Sequence, residues 1–162
     1  AHQWRYSATV LLRGLVASGR AGEALAWAEG SREPFGVRAP RWLTDWVLRR
    51  GDHSLPSTHP EVSAARHVVR ALRRGGAPER AAHLAATVPP SQEATLADWV
   101  RELIQLERAI AMRDMGDQHA ESVLDEARYR LARAHRPASE FYRRLMTCGW
   151  DGLERASDEV WY

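Results

Sequence analysis

The chain reads as an all-α protein built of antiparallel helical hairpins in an irregular, solenoid-like order. Three observations predict this. Apolar residues recur every three or four positions through most of the 162 residues. Glycine and proline punctuate those runs at short intervals. No stretch alternates apolar and polar residues over a useful strand length.

The first helix spans Trp4 to Ser18, with Tyr6, Val10, Leu11 and Leu15 among its apolar positions and Gly19 at its end. A short second helix runs from about Gly22 to Glu29. Ser31 to Pro40 reads as a loop. Arg41 to Arg50 is a third helix, with Trp42, Leu43, Trp46 and Val47 on one side. Gly51 to Pro60 is irregular. Glu61 to Arg74 is strongly amphipathic, with Val62, Ala65, Val69 and Leu72 in one stripe. Gly75-Gly76 ends it, and Pro78 suits the first turn of the next helix, which runs to about Val88.

The longest signal is Ser91 to His135, two helices joined at Met115-Gly116-Asp117. Ser91 is placed to cap the first. Its face of Leu96, Trp99, Leu103, Leu106 and Ile110 is widened by Val100, Ile104 and Met115, which predicts packing between neighbours. The second carries Ala120, Leu124, Ala127, Leu131 and Ala134 and stops before Pro137. Ser139 to Thr147 is another helix. Leu153 to Tyr162 reads as an acidic tail. The expectation is one domain over 1–162, with sub-units at 1–50 and 60–148 and a tail at 149–162.

Composition narrows the classes. Charged residues make up 27% and the net charge is +2, too little to imply nucleic acid by itself. No apolar run is long enough to cross a membrane. Cys148 is the only cysteine, which excludes an intrachain disulfide and suits a reducing cytoplasm. All 23 basic residues are Arg and Lys is absent, the mark of GC-rich coding, so Arg over Lys carries little functional weight. The chain begins at Ala1 rather than Met, as expected of a processed product or a piece of a larger regulatory protein.

Two junctions echo each other. Leu15-Val16-Ala17-Ser18-Gly19-Arg20-Ala21-Gly22-Glu23-Ala24 is similar to Leu72-Arg73-Arg74-Gly75-Gly76-Ala77-Pro78-Glu79-Arg80-Ala81, and Met115 to Glu121 is a looser third copy. At Gly19 to Ala24 and Gly76 to Ala81 the chain resembles tetratricopeptide-type repeats. That resemblance implies a helical-repeat layout with a groove for a peptide or protein. It covers the junctions only, and Gly19, Gly76 and Gly116 lie 57 and 40 residues apart, not the ~34 of that family.

Several residue groups are candidates for chemistry. Arg130 and His135 form an R-x4-H pattern. It resembles the motif of HEPN-type ribonucleases, which implies Arg130 on the scissile phosphate and His135 as general acid or base. The position after the arginine, often polar in that family, is Leu131. Glu126, four residues before Arg130, offers a plain surface pair instead. Asp98 with Glu102, and Glu121 with Asp125, are i,i+4 carboxylate pairs, which all-helical nucleotide pyrophosphohydrolases use to hold Mg²⁺. Hairpin register sets Glu102 opposite Arg130 and keeps the two pairs apart. His53 and His59 bracket a polar loop, Cys148 stands alone, and Trp161 has no helix face. No metal or cofactor is expected.

The binding candidates are basic. Arg66, Arg70, Arg73 and Arg74 share the face of Glu61–Arg74 opposite its apolar stripe, with no acid between Glu61 and Glu79. Arg128, Arg133 and Arg136 belong to a second cluster with Arg130, Arg143 and Arg144, whose only acid is Glu140. Such faces attract acidic peptides or phosphate. A solvated arginine face is the plainer reading. The sequence identifies no reaction. It points to a non-enzymatic module that binds a protein or acidic peptide, alone or as a homo-oligomer; the alternative is a nucleic-acid-binding helical domain or a HEPN-like ribonuclease.

Overall fold

The computed structural model describes residues 2–50, 56–90, 96–133 and 140–160. Among them are nine α-helices and no strand. In chain order they are α1 (His2–Ala17), α2 (Ala21–Ala28), α3 (Arg41–Leu48), α4 (His59–Arg74), α5 (Pro78–Ala86), α6 (Leu96–Asp114), α7 (Ala120–Arg133), α8 (Glu140–Thr147) and α9 (Trp150–Glu159), with a 3₁₀ turn at Pro34–Gly36 inside the expected loop. None is long and apolar enough to cross a membrane.

The three related junctions share one geometry. Gly19, Gly76 and Gly116 all have φ between 74° and 86°, a conformation that costs glycine least. After each, the next N–H reaches back five residues: Arg20 to the Leu15 carbonyl at 2.8 Å, Ala77 to Leu72 at 2.9 Å and Asp117 to Met112 at 2.9 Å. This bond satisfies carbonyls that a helix end leaves open and turns the chain back on itself. Asp117 then accepts the His119 N–H at 2.8 Å, ahead of α7. The start of α4 carries a capping box: Thr58 Oγ1 accepts the Glu61 N–H, and Glu61 accepts the Thr58 N–H at 3.1 Å. The Thr58-x-x-Glu61 pattern was readable in the sequence and moves the helix start two residues earlier than its periodicity implies.

Hairpin stacks on hairpin. α1 and α2 pack against α4, α5 joins α4 to α6, and α7 packs along α6. α3 closes one side against α2 and α4. The broad face expected of α6 is explained by its neighbours, since α4, α5, α7 and α9 all touch it. Its Val100, Ile104, Leu106 and Ile110 are at most 1% exposed. Each such side chain contributes about 1.5–3 kcal/mol of transfer free energy. Tryptophans anchor the core at its polar seams. Trp46 is fully buried and donates from Nε1 to Thr87 Oγ1 at 3.0 Å, and Trp27 donates to the Val37 carbonyl at 2.7 Å.

The chain from 150 to 159 departs from the expected tail. It is helix α9, packed against α8, with Leu153, Ala156 and Val160 buried. The i, i+3, i+7 spacing of those three is a helical face, but a narrow one. Gly152 and the acids Asp151, Glu154, Asp158 and Glu159 obscure it.

Candidate functional site: the arginine row of α4

α4 is buried on both of its faces. Its apolar stripe meets α1, α2, α5 and α6. Its opposite face, expected to be solvated, is inside as well: Arg66 is 0% exposed, Arg70 2% and Arg73 6%. Only Arg74 reaches the edge, with a quarter of its side chain exposed. The open basic surface expected for Arg66, Arg70 and Arg73 is therefore corrected to an interior row. The physical reason is α9, whose polar edge lies over it.

The contacts run along α9 in order. Arg73 Nη1 donates to Glu154 Oε1 at 2.7 Å. Arg66 Nη2 donates to Ser157 Oγ at 2.9 Å and also to its carbonyl, and Nη1 reaches the Val160 carbonyl at 3.5 Å. Arg70 Nη2 donates to Asp158 Oδ1 at 2.7 Å, an oxygen that Arg74 also binds. From the other side, Glu107 of α6 rises into the row with no exposure. It accepts from Arg73 Nε at 3.0 Å and from the Ser157 hydroxyl, and stands 3.7 Å from Arg70 Nε. Arg70 Nη1 also lies 2.9 Å from His67 Nδ1. A guanidinium only donates, so that nitrogen is an acceptor and the ring proton sits on Nε2.

Charge within the row is unevenly met. Among the described residues, the carboxylates paired with Arg70, Arg73 and Arg74 include Glu107, Glu154 and Asp158, and α9 brings two of these three. The electrostatics follow. Burial, then neighbouring Arg70, pushes the Arg66 guanidinium down to about 9, against the pull of Glu107. It stays charged at neutral pH. Burial also lowers Arg70. Burial would lower Arg73 too, but Glu107 and Glu154 outweigh it and raise the group. Burial would raise the Glu107 carboxyl; Arg73, Arg66 and Arg70 outweigh that and hold it below the ordinary carboxylate range.

The second arginine group is arranged differently. Arg128 donates to the Leu145 carbonyl at 3.1 Å and the Cys148 carbonyl at 2.6 Å, so it closes the end of α8. Arg133 is exposed; its guanidinium stands 5.6 Å from the Tyr129 ring centre and donates to the Tyr129 hydroxyl. Arg130 lies 3.4 Å from Glu126 and 4.0 Å from Glu102, the pairing that the hairpin register implied. Arg136 and His135 lie outside the described residues, as do His53 and Trp161.

The carboxylate pairs stay apart: Asp98 and Glu102 are buried on α6, whereas Glu121 and Asp125 are exposed on α7. Among the described residues, no three His, Cys, Asp or Glu side chains gather as metal ligands would. His59 opens α4, and burial lowers its pKa. Cys148 is half-buried.

Sequence reasoning missed Glu107, Glu154, Ser157 and Asp158. The only signal was complementarity. An unopposed arginine row and an acidic segment stand some 80–90 residues apart in the same chain. Compared with protein-family models, with curated proteins and with solved structures, the chain finds no match.

Proposed function

We propose that the chain is a non-enzymatic helical module that binds an acidic segment of another protein, in a layout similar to tetratricopeptide-type repeats. One observation supports this above the rest. The arginines of α4 already hold the carboxylates of a helix laid across them, Glu154 and Asp158 at i,i+4. Arginine suits the task because its planar fork satisfies carboxylates at fixed angles and loses less hydration than an ammonium. The repeated glycine junctions supply the stacked hairpins that such a surface needs. A reducing, cytoplasmic setting fits the single cysteine.

Titration of the full chain with an acidic helical peptide, its carboxylates four residues apart, tests the reading. Binding that weakens with salt, and is lost when the acids become amides, is expected. The ribonucleic alternative keeps Arg130 and His135 as its residues. Binding of a generic single-stranded RNA with a steep salt slope, together with no response to the peptide, would overturn the proposal in its favour.

A further inference from the structure

We propose that α9 is the resident occupant of the acidic-helix site, and that a partner's acidic amphipathic helix binds by displacing it from the arginine row of α4. This rests on the acidic-segment reading and says where and how that binding occurs.

Four features of α9 point to exchange rather than to permanent core. Its hold on α4 includes long arginine arms from α4, which reach Glu154, Ser157 and Asp158 and the Ser157 and Val160 carbonyls, while its backbone packs on α8 and α6. Its two pairing acids are 41% and 42% exposed, while Arg70 and Arg73, which they meet, are 3% exposed and Arg74, which shares Asp158, is 25% exposed. Water therefore reaches the outer side of each pair, and a competing carboxylate can enter one contact at a time. Its helix is weakly specified, with Gly149 providing no side-chain cap and Gly152 inside the first turn. Its apolar face is short: Leu153, Ala156 and Val160 are buried and Trp150 is partly buried beside them, with Arg113 of α6 over its ring.

The row also fixes the partner's chemistry. Asp158 serves both Arg70 and Arg74 with one oxygen. A helix that brings acids at the two α9 positions, a small hydroxyl residue between them to meet Arg66 and Glu107, and one further acid beside Arg74 would satisfy the row better than α9 does. Apolar residues one position before the first acid and two after it would replace Leu153 and Ala156.

The test uses the full chain and an end-blocked peptide copying residues 150–160. Binding is compared for the wild type and for the double variant Glu154→Gln, Asp158→Asn, while amide hydrogen exchange is followed along the chain. A loosened α9 raises the binding-competent fraction, so the variant is expected to bind about tenfold tighter or more. Peptide should speed exchange in α9 of the wild type and leave α1, α2 and α5 unchanged. Equal affinity for both proteins, with α9 exchange unmoved, overturns displacement while leaving the acidic-segment reading intact. Exchange that rises throughout α4 and α6 as much as in α9 marks α9 as core, and also overturns it. Peptide binding to neither protein removes the acidic-segment reading itself. A concentration-dependent dimer of the variant that excludes peptide makes the occupant a second copy, and refutes a separate partner.

Discussion

α4 and α7 both carry arginines at helical spacing, and the two rows have opposite fates. On α4, Arg66, Arg70 and Arg73 are almost wholly enclosed. On α7, Arg130 keeps about a third of its exposure and Arg133 points into water. Residue type and periodicity do not separate them. What separates them is a third element. α9 covers the α4 row and brings carboxylates, whereas Arg130 and Arg133 of α7 lie on a face where Glu121, Asp125, Glu126 and Tyr129 are exposed. An arginine face is thus a surface only if nothing elsewhere in the chain is complementary to it. In a low-dielectric setting the charges on α4 need partners or the fold loses stability. On α7 the same charge is hydrated and the pairs add little.

The α4 row is most vulnerable at Glu107. Glu107→Gln removes a fully buried counter-charge from among three enclosed guanidinium groups. Breaking a buried pair this way costs about 3–5 kcal/mol, read from the denaturant midpoint. The acid limb carries the same information. Glu107 is held below its ordinary value of 4.5 in the fold, so its ionised form stabilises the fold above that value. The contribution is lost as pH falls through the lower, folded value. Glu107→Gln should flatten that limb of the stability curve, and an unchanged limb would contradict the pairing.

Arg128→Ala comes next. It removes two bonds to the carbonyls that end α8, about 1–3 kcal/mol in all. The loss should appear as faster hydrogen exchange in α8 before it appears elsewhere. Arg133→Ala is the smallest. Its cation–π contact with Tyr129 is exposed, so the change should stay within about 0.5–1 kcal/mol. A larger loss there would mean that α7's row is also enclosed.

Much of the fold was legible because helices announce themselves locally. The apolar stripe of α4, the wide face of α6 and the turn at Gly116 are set by residues three to five apart, and the structure places them as the spacing implies. The Glu102–Arg130 pairing followed from simple hairpin register. The candidate site was not legible in the same way. Whether Arg66 meets water depends on Ser157, some ninety residues later, in a segment whose narrow face and Gly152 hid its helix. Glu107 lies between the buried Leu106 and the half-buried Arg108, and nothing near it in sequence shows which arginines it serves. Long-range charge complementarity was the available clue, and it is weak until a structure brings the two segments together.

A double-mutant cycle tests the account most directly, with Arg73→Ala and Glu107→Gln set against Arg130→Ala and Glu126→Gln. The enclosed pair should couple by about 1–3 kcal/mol and the exposed pair by less than about 0.5 kcal/mol. Equal, small couplings in both cycles would show that the α4 row is no more interior than the row on α7, and would contradict the account.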